Sequence, residues 1–276
     1  MINTDNTMNK QSLSESKSAD MKPHEFREIV RRGEWSAVNT NVCQGRAQAN
    51  LVIVPKALAF EFLLFCHRNP NPCPVIDVTD PGDYRPRFSA PDADIRTDLP
   101  RYRVFKNGVI IDEPFDIIQY WDDDLVAFLL GCGTNFDWSL RAANVQYRYI
   151  GDYTTNIECV PAGNFHGCMV VSTRLFKSSH DAVRAIQITS RNQAAHGPPV
   201  FIGNPDDIGI KDLYHPDMFS FHEPIQPIEP DEIIMSWACG VTPQVIAQNS
   251  KTPFMISHYP GHMFVTDKLS EELTVL

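Results

Sequence analysis

Residues 233–258 read IIMSWACGVTPQVIAQNSKTPFMISH, and the fold turns on how this stretch is divided. IIMSW suits a buried strand, CGVTPQVIAQNS a turn running into a helix, and FMIS a second strand. Thr242-Pro243 marks the helix start, since a threonine hydroxyl can take up an orphan backbone N–H and proline suits the first helical turn. Strand, helix and strand joined through about 15 residues predict a right-handed crossover between parallel neighbours. Cys239 and Gly240 then lie between a strand end and a helix N-terminus, where backbone N–H groups and the helix dipole favour an anion. His258 follows the second strand and His262 follows Pro260-Gly261. These residues are therefore expected beyond the carboxyl ends of the strands, where open α/β sheets bind ligands.

A cysteine beside a helix N-terminus and a histidine can become a nucleophile through a lowered pKa. Two other readings stand beside this one. Cys239 can be a small packed residue with His258 a hydrogen-bonded loop residue, or the edge can bind a ligand without covalent chemistry.

Working outward, the same grammar recurs. MVVSTRLF reads as a strand, SSHDAVRAIQITSR as a Ser-capped helix and PPVFIG as a strand. RYRVFKNGVIIDEP reads as a β-hairpin, because Asn107-Gly108 supplies the positive φ angles of a tight turn. A helix beginning at Pro55 runs through ALAFEFLLFC, apolar nearly all round and so expected to be central. DDLVAFLLGCG reads as a further helix, with acids in its first turn and Gly131 or Gly133 ending it. Val75 to Val78 reads as a buried strand, and Phe26, Ile29 and Val30 share one helical face. Residues 1–21 are polar and without period, so a flexible arm is expected there, followed by one α/β domain over 22–276. The predicted class is α/β, with a mixed, partly parallel sheet flanked by helices.

The chain has 276 residues, 43% hydrophobic and 21% charged, enough to bury a core without staples. A formal net charge of −10 argues against a nucleic-acid partner, which needs a basic footprint. The most apolar stretch, Ala57 to Phe65, contains Glu61 and is too short for a bilayer, so no membrane association is expected. Seven cysteines follow no secretory apolar region, which suits a reduced, cytoplasmic setting. Cys66/Cys73 and Cys159/Cys168 lack the second close pair of a zinc ribbon. The nine histidines show no compact ligand spacing, so no cofactor is indicated and a divalent metal is left open.

Two further segments carry chemistry. FCHRNPNPCPVID and ADIRTDLPRYRVF set Arg68, Arg96, Arg101 and Arg103 in restrained loops, where guanidinium forks suit carboxylates. Asp94 and Asp98 flank Arg96, either as its ion-pair partners or as proton-transfer groups. In RNQAAHGPPVFIGNP, His196 sits in a Gly/Pro-rich turn, placed to be a base near neutrality or a satisfied loop residue.

QANLVIVP, FCHRNPNPCPVID, ADIRTDLPRYRVF, HGPPVFIGNPDDIGIKDL, SWACGVTPQ and SHYPGHMFVTD occur in this order. Together, from about Phe26 to Asp267, the set resembles the D-glutamate cyclase-like family of hydro-lyases. The resemblance implies an α/β fold with two interleaved lobes, the smaller an α+β lobe around 150–225. It also implies a carbon–oxygen lyase acting on a small amino or carboxylic acid, by dehydrative cyclisation of D-glutamate to 5-oxo-D-proline. Such a reaction needs a base for the ammonium, polarised carboxyl oxygens and a departing water. Within the matching motifs, Arg68, Asn69 and Arg101 are assigned to substrate carboxylates, with Arg96 in reserve. Asp98, His258, Cys239 and His196 are the candidates for proton transfer or nucleophilic attack. Gly240, Thr242 and His262 are placed on the anion-binding edge. The chain departs from the family in three places, one being the segment between Tyr149 and Ile157, with IGDYTTN inside it, which looks shortened. NTNVCQGRAQAN carries Arg46 where a tyrosine is usual, and GCGTNFDW puts Gly133 and Asn135 in place of two serines while Asp137 keeps the acid. A non-catalytic carboxylate-binding or interaction protein is the competing reading, and a thiol enzyme built on Cys239 a third. The expected partner is a small carboxylate or amino acid, with a homodimer expected from base rates alone.

Overall fold

The structure, a computed structural model, describes residues 18–218 and 224–275. Residues 1–17 of the expected arm lie outside the described residues. The Ser18 and Ala19 carbonyls already accept from the backbone N–H groups of Cys43 and Gln44. Helix α1 (Pro23–Arg31) follows, with proline at its start and Phe26 and Val30 buried along one face.

Strand β1 (Arg46–Pro55) is the axis of the molecule and is buried except at its two ends. One edge pairs with β5 (Leu125–Gly131). Its other edge is divided: Val52 and Ile53 face β10 (Phe254–His258), while Arg46 to Ala49 face β11 (Phe264–Leu269). With β2 (Val75–Val78), β3 (Tyr102–Lys106) and β4 (Val109–Asp112) they form a seven-stranded sheet, ordered β2-β5-β1-β10-β3-β4 with β11 beside β1. The second sheet has four strands: β6 (Arg148–Glu158), β7 (Cys168–Phe176), β9 (Ile233–Ala238) and β8 (Phe201–Ile202). It is drawn wholly from the chain between β5 and β10. Residues of both sheets share one core, where Val52, Phe128 and Met255 of the first meet Tyr153, Val171 and Leu175 of the second.

The mixed α/β class holds, but the parallel crossover does not: every strand pairing among the described residues is antiparallel. Residues 233–258 do form strand, helix and strand, with α5 (Thr242–Asn249) in the middle. However, β9 belongs to the second sheet and β10 to the first. The helix carries the chain from one sheet to the other, a route that connection length does not distinguish from a crossover.

Two helical expectations also change. DDLVAFLLGCG is strand β5, all seven of whose residues are buried between β1 and β2. A short unbroken apolar run has no period to separate a covered strand from a helix. The helix after Pro55, α2 (Lys56–Arg68), is not central. It buries Phe62, Phe65 and Cys66, while Phe60 is 75% and Leu63 42% exposed. The hairpin is as expected, with Asn107 and Gly108 at φ 51° and 74°. So is the Ser-capped helix α4 (Ser179–Thr189), where Ser178 Oγ accepts from the Asp181 N–H. Helix α3 (Gly133–Ala142) leads out of β5. All seven cysteines are free, and no helix among the described residues is long and apolar enough to cross a membrane.

Candidate active site

Where the two sheets meet, β1, β6, β7, β10, the first turns of α3 and the turns around His196, Gly240 and Gly261 close around a narrow cavity of about 60 Å³. Its floor depends on a close backbone approach. Asn50 of β1 donates through Nδ2 to the Gly131 carbonyl at 2.7 Å and lies against Gly240. A Cβ on Gly240 would meet that Nδ2 at 1.9 Å, so only glycine lets the turn before α5 come this near. Gly131 serves the opposite wall, since a Cβ there would fall 1.6 Å from the Ala194 carbonyl oxygen. That approach brings the turn carrying His196 against the end of β5.

Two acids line the cavity, Asp137 and Asp152 of β6, the latter 5% exposed. Tyr149 Oη donates to Asp152 Oδ1 at 2.8 Å, and Cys239 lines the cavity with it. Burial pushes its carboxyl up to about 6, against the lowering effect of Tyr149, Arg174 and Cys239. Cys239 is pushed well above the usual thiol range, by burial first and then by Asp152. Its surroundings therefore disfavour the thiolate that a nucleophile requires.

Two histidines face the cavity with opposite hydrogen-bonding sense. His258 Nδ1 lies 3.2 Å from the Leu51 nitrogen, 3.3 Å from Ser257 Oγ and 3.5 Å from the Leu51 carbonyl oxygen; in the shortest of these Nδ1 accepts, the tautomer in which the neutral ring's proton sits on Nε2. That Nε2 is buried without a partner and the residue lines the cavity, so an N–H is presented to a ligand oxygen. Burial lowers its pKa to about 3. His196 instead bonds the Asn71 carbonyl through Nδ1 at 2.7 Å, so Nδ1 donates and Nε2 keeps a lone pair. Burial lowers it to about 4, and its backbone is left-handed at φ 79°. Such strain in a non-glycine residue is commonest at functional sites.

Arg174 of β7 closes the cavity, fully enclosed among Phe136, Tyr149 and Trp237. It forms a two-pronged pair with Asp137 at 3.0 and 2.9 Å and donates to Ser172 Oγ at 3.0 Å. Burial works against its charge, but Asp137 outweighs burial and holds the guanidinium's pKa raised. Its neighbour Gly133, at the mouth of α3, presents no side chain to the space.

Of the residues picked out from the sequence, His258, His196, Cys239 and Gly240 are brought together here, with Gly133 and Asp137 of the GCGTNFDW stretch. The others do not line the cavity, and each has partners elsewhere. Asp98 is fully buried in a two-pronged pair with Arg31 at 2.8 and 2.7 Å. Arg96 is held by Asp94 and lies over Tyr84, while Arg101 pairs with Glu113 and stacks on Tyr259. Arg68 is exposed and donates to the Pro161 carbonyl. Asn69 ties the end of α2 to Val160. The Thr242 hydroxyl donates to the Cys239 carbonyl and accepts from the Val170 N–H, locking the start of α5. His262 lies between the Pro260 and Ser36 carbonyls. Asn135 bonds both the N–H and the carbonyl of Gln48 on β1. Among the described residues no group of three or more His, Cys, Asp or Glu is placed to hold a metal ion.

Asp152 and Arg174 were missed. Arg174 had a signal, a charge inside the apolar run MVVSTRLF that requires a buried partner. Asp152 had no such signal: it lies in the buried run Ile150 to Tyr153, before the strand begins to alternate between covered and open positions.

Comparison with known proteins matches residues 126–267 to the D-glutamate cyclase family model. A "Putative hydro-lyase" of Geobacillus kaustophilus is 50% identical over 265 residues, covering 94% of this chain and 99% of that protein. A protein of the same name from Stutzerimonas stutzeri is 48% identical over 263 residues, with 93% and 97% covered. The Bacillus subtilis relative YcsI, likewise named, is 48% identical over 262 residues, with 93% and 100% covered. A solved nitrogen repressor-like protein from Methanococcus jannaschii aligns over 91% of this chain and 99% of its own, at 8% identity and a TM-score of 0.38, too low to show a common fold. The matched motifs and the near-complete coverage of these relatives lead to one conclusion: the chain belongs to the D-glutamate cyclase family.

Proposed function

We propose that the protein is a hydro-lyase that closes D-glutamate to 5-oxo-D-proline in the cavity between the sheets. The observation that carries this reading is a carboxyl poised near 6, Asp152, sharing a small cavity with the unpartnered Nε2–H of His258. The α-nitrogen attacks the side-chain carboxyl carbon, a C–N bond forms and a C–O bond breaks. Two protons pass from the ammonium to the departing oxygen, which leaves as water. Asp152 takes a proton from nitrogen and returns it to the leaving hydroxyl, its pKa suiting both directions near neutrality. His258 donates to the carboxyl oxygen as negative charge gathers on it. The His196 lone pair accepts from the amine and holds it in line.

Proton NMR of the purified protein with D-glutamate and L-glutamate tests the reading. Formation of 5-oxoproline from the D-isomer alone is the expected result. Stabilisation by either acid without turnover would replace it with the carboxylate-binding reading, which the bare position at Gly133 favours.

A further inference from the structure

The inner cavity opens into an outer cleft of about 760 Å³, the two sharing Thr40, Thr134, Asp137 and Tyr149. A space of this size suits a molecule larger than an amino acid, whereas the inner cavity has room for roughly four waters. A ligand reacting inside therefore extends outward.

The cleft is charged in one sense. Asp137 is taken up by Arg174, and Arg148 by Glu232 at 3.0 and 2.6 Å. Two further arginines line it, Arg46 and Arg141, and neither has an ion-pair partner among the described residues. Each uses one Nη1, Arg46 on the Asp267 carbonyl and Arg141 on Asn41 Oδ1, both at 2.8 Å. The rest of both forks is available to an anion. Gln48, 2% exposed, adds a feature that independently points to a ligand. Its Nε2 donates to the Asn39 and Val42 carbonyls; its Oε1 is buried without a partner, and the residue lines the cleft. An acceptor so placed is matched by an N–H.

We propose that the outer cleft is a second ligand subsite, taking an amide-linked, negatively charged extension of the molecule whose reacting end lies in the inner cavity. This rests on the reading of the inner cavity as the reacting site. The substrate class is an N-terminal D-glutamyl compound bearing an acidic unit on its α-carboxyl. The linking amide N–H faces Gln48 Oε1, and the terminal carboxylate takes the forks of Arg46 and Arg141. Ring closure is unchanged: nitrogen bonds the side-chain carboxyl carbon, water leaves, and the α-amide stays intact.

D-glutamylglycine and D-glutamylglycinamide have one shape and differ in terminal charge, so they isolate the subsite. Turnover of both is measured by NMR with wild type, Arg141→Gln and Arg46→Gln; Arg141 is exposed, so its replacement leaves the core intact. The expected kcat/KM favours the acid about tenfold in wild type, with the ratio moving toward one in each variant. Equal values in wild type, or a ratio unchanged in both variants, would overturn the subsite. If D-glutamate and both dipeptides go unreacted, the proposed reaction fails, and binding of the same two dipeptides decides the subsite. Binding of the acid about tenfold tighter than the amide, lost in Arg141→Gln, supports it; equal binding removes it.

Discussion

Burial raises the Asp152 carboxyl, Tyr149, Arg174 and Cys239 lower it, and the balance leaves it at about 6. The balance makes it a base over the upper pH range and an acid just below. Replacing it with asparagine is expected to lower turnover by about 10²–10⁴. Wild-type kcat is expected to rise with pH through about 6. The same substitution should stabilise the fold at pH 7. A carboxyl whose folded pKa lies above its unfolded value of about 3.9 binds more protons when native, so its stabilisation is full below that value. It is lost as pH rises through about 6. Asp152→Asn therefore melts higher than wild type at pH 7 and level with it near pH 4, by calorimetry. Loss of activity with a lower melting temperature at pH 7 would instead make Asp152 a structural residue. The sequence presented His258, His196, Cys239 and Gly240 because histidine, cysteine and turn glycine declare themselves by type. Asp152 did not, because its chemistry comes from what surrounds it. Asp98 was misleading for the same reason, since its two-pronged Arg31 partner is 67 positions away.

Helix α2 illustrates what a pattern of apolar residues leaves out. ALAFEFLLFC is apolar in composition, yet of the helix only Phe62, Phe65 and Cys66 are fully buried, with Leu58, Ala59 and Leu64 packed partly against the core. Phe62 packs edge-on to Phe128 and Phe165 at 4.9 and 5.3 Å. Phe62→Ala is expected to cost about 3–5 kcal/mol, and Phe60→Ala less than about 0.5 kcal/mol, in urea unfolding. Similar losses at both positions would place the outer face against another surface. The hairpin at Asn107-Gly108 and the cap at Ser178 were read correctly because each is decided by a few neighbouring atoms. Strand β5 was misread because what makes it a strand is β1 and β2 on either side, supplied by distant chain.

Across the molecule, the cavity histidines and Asp152 act in opposite directions on stability. His196 and His258 have folded values near 4 and 3, below the ordinary 6.5, so their stabilisation is full above 6.5 and lost as pH falls. Between about 6 and 4 two groups lose what one regains, and the melting temperature is expected to fall with acid. His196→Asn, which tolerates a left-handed backbone, should flatten that fall in a thermal series from pH 7 to 4. An unchanged slope would mean that His196 titrates normally. The mixed class was readable because helix and strand patterns were both present. Sheet membership was not, since β9 and β10 are near in sequence and part company in space. The divided edge of β1 sets the order in which this protein can be completed during synthesis. β1 is made early, but both strands that cover its second edge come from the last quarter of the chain. Until β10 and β11 have been made, that edge is an open template for other nascent chains, so chaperone capacity rather than final stability should govern yield.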